Sequence, residues 1–467
     1  MDSAVAGAPA GAAPDRAHIS EPLIIARIER LPFSAWHLRA VGLVGLASFF
    51  DAFDALTIAF VLPVLAVAWH IPPDAIGLLI SAGYVGQLIG AIALPAVAER
   101  IGRLSALRFA VAILALLSFT CAFAGSYQAL LALRFVQGIG LGGEVPIAAT
   151  YINEACPARF RGRLVFLLEL TFATGVMVTS LVALWLIPHF GWQSMFIVGT
   201  LPVLLALWFP RLVPESARWL AGHGRLPEAD RVMTEIERAI SADGRRALPP
   251  LPPLVPVSGT AGATFAGLFA EGYAGRTLTA WTIMLCTSLA GYGLIVWLPT
   301  IYRSVYHLPI GATLTFSFYG GAAGVAAACA GTALIDVIGR RFTFAIGFIG
   351  CAVPLFVLYA LPPGAPVVEV VTLATISVFF ISILLAGVYA YVPEIYPTRM
   401  RALGAGVASS WLRIGSIIGP MLVGFLLAHA ATQGVFLFFA LAASVGAAVV
   451  MFCLIETRGR LLEDIAR

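Results

Sequence analysis

The chain has 467 residues, of which 60% are hydrophobic and 11% charged, with a formal net charge of +4. That balance excludes an ordinary soluble globule, because apolar runs longer than the ~20 residues needed to cross a bilayer recur along the chain. All 28 basic residues are Arg, so their abundance is compositional bias and implies no nucleic acid or other polyanionic partner. The six Cys lie scattered, mostly in apolar segments without CxxC spacing, and read as small buried side chains without metal or disulfide.

In chain order, residues 1–36 read as an N-terminal tail. Its first 20 residues are rich in Ala, Gly and Pro, look disordered, and lack the apolar core of a signal peptide. Twelve candidate spans follow, near 38–69, 75–98, 104–124, 128–152, 164–187, 193–212, 277–301, 311–337, 342–361, 367–392, 402–428 and 433–455. The first carries Asp51 and Asp54, three apart and hence on one helix face. An ionised Asp at that depth costs about 2.5 to 3.5 kcal/mol on insertion scales, so a functional role is favoured over a structural ion pair. Loops after odd-numbered spans hold one Arg, Arg303, whereas loops after even-numbered spans hold Arg100, Arg103, Arg159, Arg161, Arg163, Arg340, Arg341, Arg399 and Arg401. The positive-inside rule then places both termini in the cytoplasm.

Between spans six and seven the composition changes. A charged helical stretch at 227–240 is followed by the Pro-rich LPPLPPLVP, which reads as a short amphipathic helix and a stiff linker. The chain therefore divides into a six-helix bundle at 37–213, a cytoplasmic linker at 214–276, a second bundle at 277–455 and a tail at 456–467. The halves repeat: AERIGRLSALR matches IDVIGRRFTF, and NEACPARFRGR matches PEIYPTRMRALG, each pair at corresponding turns. Matched halves of this kind mark transporter folds with a site between the repeats near the midplane.

At these motifs the chain resembles the major facilitator superfamily over residues 37–457. The loop after span two is similar to the family's GxxxDRxGRR, with Glu99 for the Asp and Pro95 for the leading Gly; the second copy keeps Asp336, Gly339, Arg340 and Arg341. RFVQGIGLGG, PESARWL and ETRGR look like the branch of sugar porters and metabolite:proton symporters. The resemblance implies an all-α membrane fold of twelve helices in two pseudo-symmetric six-helix bundles. Glu99, Arg103, Glu154, Glu215, Asp336, Arg340, Glu394, Arg399 and Glu456 are expected to form a cytoplasmic gate that joins the halves when shut, although exposed pairs contribute only about 0 to 1 kcal/mol each.

Leaving aside charges at loops and span ends, few lie in the membrane interior: Asp51, Asp54, Arg134, Glu144, Glu169 and Arg413. By resemblance, Asp54 on helix 1 and Arg134 on helix 4 form the proton-coupling pair, with a permanent salt bridge as the alternative. Asp51 and Glu144 are candidates for further proton sites or for structural hydrogen bonds. Glu169 stands where sugar porters place a substrate-binding Gln. Arg413 lies deep in span eleven with no acid at comparable depth in its own half, which favours a visiting carboxylate over a cross-pair with Glu144 or Glu169. The amides and the Trp that sugar porters use are absent from spans seven and ten. Tyr292, Trp297 and Tyr389 are expected to hold a flat ring, with Tyr391 and Trp411 as further aromatics.

Together FDAFD, GLGGE, GYGLIVWLP and RIGSIIGP look most like bacterial nicotinate transporters and the neighbouring aromatic-acid:proton symporters. The implied function is proton-coupled import of a small aromatic monocarboxylate by a monomer in the bilayer, without cofactor. Alternatives are a sugar or polyol symporter, an exporter of organic anions or drugs, and a receptor that binds without translocating. An enzyme is not expected, since no nucleophile–base set, metal spacing or phosphate loop stands out.

Overall fold

A computed structural model describes residues 19–242, 247–254, 264–270, 272–362, 364–396, 400–429 and 432–458. The first half comprises α1 (Glu21–Arg30), α2 (Ala35–Ala68), α3 (Pro73–Ile101), α4 (Arg103–Cys121), α5 (Tyr127–Ala155), α6 (Ala158–Phe190), α7 (Gln193–Val198) and α8 (Pro202–Leu212). Two linker helices follow, α9 (Ala217–Gly222) and α10 (Leu226–Ala242). The second half comprises α11 (Ala274–Ser304), α12 (Ile310–Val337), α13 (Arg340–Ala360), α14 (Val367–Glu394), α15 (Arg401–His429) and α16 (Thr432–Cys453). Among the described residues, eleven helices are long and apolar enough to cross a membrane, and the broken pair α7–α8 supplies the twelfth crossing. The break falls at Gly199, where any Cβ would run into Ser118 Oγ and come within 3.0 Å of Asp54 Oδ1. A side chain at that position would displace the buried acid.

Helices within a half approach closely where glycines line the contact. A Cβ at Gly86 or Gly90 would overlap the carbonyls of Phe135 and Ile139, and one at Gly142 that of Gln87. This small-residue seam lets α3 and α5 meet backbone to backbone, which dispersion favours where lipid gives no hydrophobic drive. The halves meet through α2 with α11, α3 with α15, and α6 with α12. Ser81 Oγ donates to the Ile417 carbonyl at 2.7 Å, and Gly77 and Gly424 sit against Pro420 and Pro73. These contacts close the halves together at the arginine-poor end.

At the opposite, arginine-rich end the repeat is visible atom by atom. Gly102 and Gly339 have φ of +103° and +90°, the left-handed region that favours glycine. Each turns the chain into a helix whose first amides donate to a carboxylate. Arg103 N and Leu104 N donate to Glu215 Oε1 at 2.9 and 3.1 Å; Arg340 N and Arg341 N donate to Glu456 at 3.0 and 2.9 Å. Anionic caps there satisfy orphan amides and meet the positive end of the helix dipole. Arg103 pairs with Glu154 at 2.8 Å and Glu99 at 2.9 Å, and Arg340 pairs with Glu394 at 2.9 Å. Ser216 and Thr457 each donate to the Glu154 or Glu394 carboxylate at 2.5 Å.

These contacts belong to a state closed at the arginine-poor end, in which the expected gate is parted. Each cluster lies within one half and braces that half's own helix ends, so the named pairs do not bridge the halves in this state. The Asp336 side chain and Arg399 lie outside the described residues.

The region expected as a tail carries α1, a helix the sequence reading missed. Its Ile24 and Ile28 pack with Leu31 on Trp219, Leu220, Met233 and Ile236. Arg27 bonds Glu237 at 2.8 Å and Asp230 at 2.5 Å, and Arg30 bonds Glu237 at 2.6 Å. Glu29 accepts from the Ala158 amide at 2.8 Å and Arg218 at 3.2 Å, tying α1 to the start of α6.

Candidate functional site

Two polar clusters lie inside the bundle. The first is a buried ion pair: Arg134 Nη1 stands 3.0 Å from Asp54 Oδ2, with the two side chains 4% and 1% exposed. Ser118 Oγ donates to Asp54 Oδ1 at 2.8 Å, and Arg134 Nη1 also donates to Gln137 Oε1 at 2.7 Å. Desolvating two charges is repaid only where such further bonds hold them. Yet Arg134 Nε and Gln137 Nε2 have no partner among the described residues. The cluster is therefore incompletely satisfied.

The second cluster lies between the halves. Arg413 Nη1 donates to Gln87 Oε1 across the α3–α15 contact. Among the described residues no carboxylate lies within 4.0 Å of the Arg413 guanidinium, so its direct partner is a neutral amide. Tyr84, Tyr292, Tyr389 and Asp51 stand within electrostatic range of Arg413, as does Glu169. The Tyr84 and Tyr292 rings meet edge-on across the halves, 5.7 Å between centroids. Beside them a cavity of about 130 Å³ is lined by Glu169, Tyr292, Tyr389, Ser317 and Ser382 among largely apolar neighbours such as Phe60 and Phe316. A site with apolar walls, aromatic rings, a few hydroxyls and a nearby cation suits a small, flat, amphiphilic anion.

The remaining candidates are placed as follows. Ser48 Oγ donates to Glu144 Oε1 at 3.2 Å, while Glu144 Oε2 and Asp51 Oδ1 are buried without a partner among the described residues. Trp297 does not line the inter-bundle cavity; it faces a second one at the arginine-poor end. Trp411 stacks on Trp281 at 5.1 Å, and Tyr391 donates to the Ile455 carbonyl at 3.2 Å.

Comparison with known proteins converges on one family. A profile described as "Sugar (and other) transporter" matches residues 68–467. The niacin transporter NiaP of Acinetobacter baylyi is 34% identical over 95% of this chain and 99% of its own length. This chain belongs to the sugar (and other) transporter family of the major facilitator superfamily. The 4-hydroxybenzoate transporter PcaK of Pseudomonas aeruginosa is 32% identical over 86% of the chain and 88% of the relative. The crystal structure of the D-xylose-proton symporter superposes with a TM-score of 0.73 at 17% identity, covering 91% of this chain and 100% of that one, which establishes the fold alone.

As a member of this family the chain is a multi-pass membrane transporter and not an enzyme. Asp54 and Arg134, named from the transporter-family pattern, are brought into direct contact. Tyr292, Tyr389 and Glu169 line the inter-bundle cavity, and Arg413, which is not part of its wall, stands within electrostatic range of all three. Gln87, Tyr84, Gln137 and Ser118 were missed. Gln87 left a signal, being the single amide side chain of α3, where an unbonded polar group is costly; Gln137 shares α5 with Gln128 and Asn153 and stood out less.

Proposed function

We propose that this transporter imports a small aromatic monocarboxylate together with a proton, nicotinate being the favoured substrate, as a monomer in a bacterial inner membrane with both termini in the cytoplasm. The carrying observation is Arg413: a guanidinium set between the halves whose direct partner is the neutral Gln87 amide. A carboxylate can take two parallel hydrogen bonds from it, stronger than those to an amide. Tyr84, Tyr292 and Tyr389 then offer ring faces and edges to the substrate ring. The relatives named for niacin and 4-hydroxybenzoate support this reading, since both compounds are aromatic rings bearing one carboxylate.

Proton coupling is assigned to Asp54. Protonation removes the charge that holds Arg134, leaving the guanidinium to Gln137 and changing how α2 packs on α5. A ligand and a proton that each favour one packing bias the rocking of residues 37–213 against 277–455. One proton per monoanion moves no net charge, whereas a second would couple to about 2.3 kcal/mol per charge per 100 mV. In proteoliposomes, nicotinate uptake should follow an imposed pH gradient and ignore an imposed voltage. Uptake indifferent to the pH gradient would overturn the assignment. A second reading, transport of the neutral amide of the same ring, is favoured by the Gln87 side chain in the site. It predicts that nicotinamide competes as well as nicotinate.

A further inference from the structure

The cavity at the arginine-poor end is separate from the inter-bundle site and has a different chemistry. Its volume is about 630 Å³, and its wall includes Trp297, Thr300, Arg303 and Ser304 from the end of α11 and His307 from the loop after it, facing Ile71 and Ile76 from the first half. Every polar side chain among these carries a hydrogen-bond donor, and no acidic side chain lines the cavity among the described residues. The acid nearest in sequence, Asp74, is exposed and stands beside Tyr127.

Two of the donors are orphaned. Trp297 Nε1 and Thr300 Oγ1 lack any partner among the described residues, and their side chains are 0% and 2% exposed. A buried donor without an acceptor is costly, and both donors belong to residues of the cavity wall. Arg303 Nη1 donates to the Leu308 carbonyl at 2.7 Å, which fixes the guanidinium at the rim. His307, at φ +51°, is held in the left-handed region uncommon for non-glycine residues, on the same wall. Apolar side chains supply the rest of the surface.

We infer that this cavity is a second binding site, a vestibule that holds a small organic carboxylate outside the closed end of the transporter. The carboxylate lies between Arg303 and the Trp297 and Thr300 donors, and its apolar body rests on Ile71 and Ile76. The inference uses the proposed orientation and the proposed anionic substrate, but none of its residues belongs to the Arg413 site. A weak outer site of this kind raises the local concentration of anion at the end that must open to admit it.

Equilibrium dialysis of the purified full-length transporter against labelled nicotinate tests it. The wild type should bind two equivalents, a tight and a weaker one. Arg303→Gln should bind one, and Arg303→Lys should restore the second. Thr300→Val, which keeps the shape and removes the donor, should weaken the second equivalent at least threefold. Arg413→Gln should lose the tight equivalent and keep the weak one. One equivalent in the wild type, or an unchanged second equivalent in both Arg303→Gln and Thr300→Val, overturns the vestibule. Retention of the tight equivalent in Arg413→Gln instead overturns the reading of Arg413 and leaves the vestibule standing.

Discussion

Replacing Asp54 by Asn removes the negative charge while keeping an acceptor for Ser118, and so imitates the protonated acid. The Arg134 side chain, 4% exposed, would lose its only ion-pair partner at 3.0 Å among the described residues. Orphaning one member of a buried pair costs about 3 to 5 kcal/mol. Arg134 retains Gln137 Oε1 at 2.7 Å and a 3.4 Å contact to the Asp54 carbonyl, which places the expected loss near the lower bound. Arg134→Gln alone should cost a similar amount, and the double variant should recover much of it, giving a coupling energy of about 2 to 3 kcal/mol in a double-mutant cycle of detergent unfolding. Transport separates the structural from the coupling role. Asp54→Asn should still exchange labelled for unlabelled nicotinate across vesicles, because exchange needs no net proton movement, yet fail to concentrate nicotinate under a pH gradient. Concentrative uptake at the wild-type level by Asp54→Asn would refute the reasoning.

Gln87→Leu should lower unfolding stability by about 1 to 3 kcal/mol by leaving the Arg413 guanidinium without its direct acceptor. Nicotinate should then stabilise the variant more than the wild type, and a smaller ligand-induced rise in melting temperature would contradict that. Glu456→Gln should cost about 0.5 to 2 kcal/mol through the weakened cap on α13. Burial acts to raise the Glu456 carboxyl, but the backbone amides of Arg340, Arg341, Arg458 and Thr457 outweigh it and hold the group below its ordinary 4.5. A depressed carboxyl contributes stability above its unfolded value and loses it as pH falls through the folded one. The gap between wild type and Glu456→Gln should therefore be full at pH 6 and narrow below about pH 4.5, as read by unfolding at graded pH; a gap that widens on acidification would count against the cap.

The helices were legible because each crossing is a long apolar run bounded by charge, glycine or proline; Gln193–Val198 and Pro202–Leu212 form the crossing whose break was not foreseen. That break serves the space beside Asp54 and Ser118, a tertiary demand that Gly199 by itself does not announce. Asp54 with Arg134 was legible through family likeness. The depth of Arg413 could be read from helix length, but its partner could not: Gln87 reaches it from the other half, which depends on how the two bundles rotate against each other. For the same reason Trp297 was assigned to the inter-bundle cavity, although its place on α11 turns it toward the arginine-poor end. The loop acids stand out as a set in the sequence, but residue type does not reveal whether a carboxylate bridges two halves or caps its own half's helix, as Glu215 and Glu456 do. α1 escaped notice because ten residues with one narrow apolar face carry little signal until α9 and α10 cover them.

The most direct measurement compares nicotinate with nicotinamide, ligands of one ring that differ in charge, in thermal stabilisation of the purified wild type and of Arg413→Gln. The account predicts that nicotinate stabilises the wild type well above nicotinamide and that Arg413→Gln abolishes this difference. Equal stabilisation of the wild type by acid and amide, or a preference for nicotinate that survives Arg413→Gln, would contradict it.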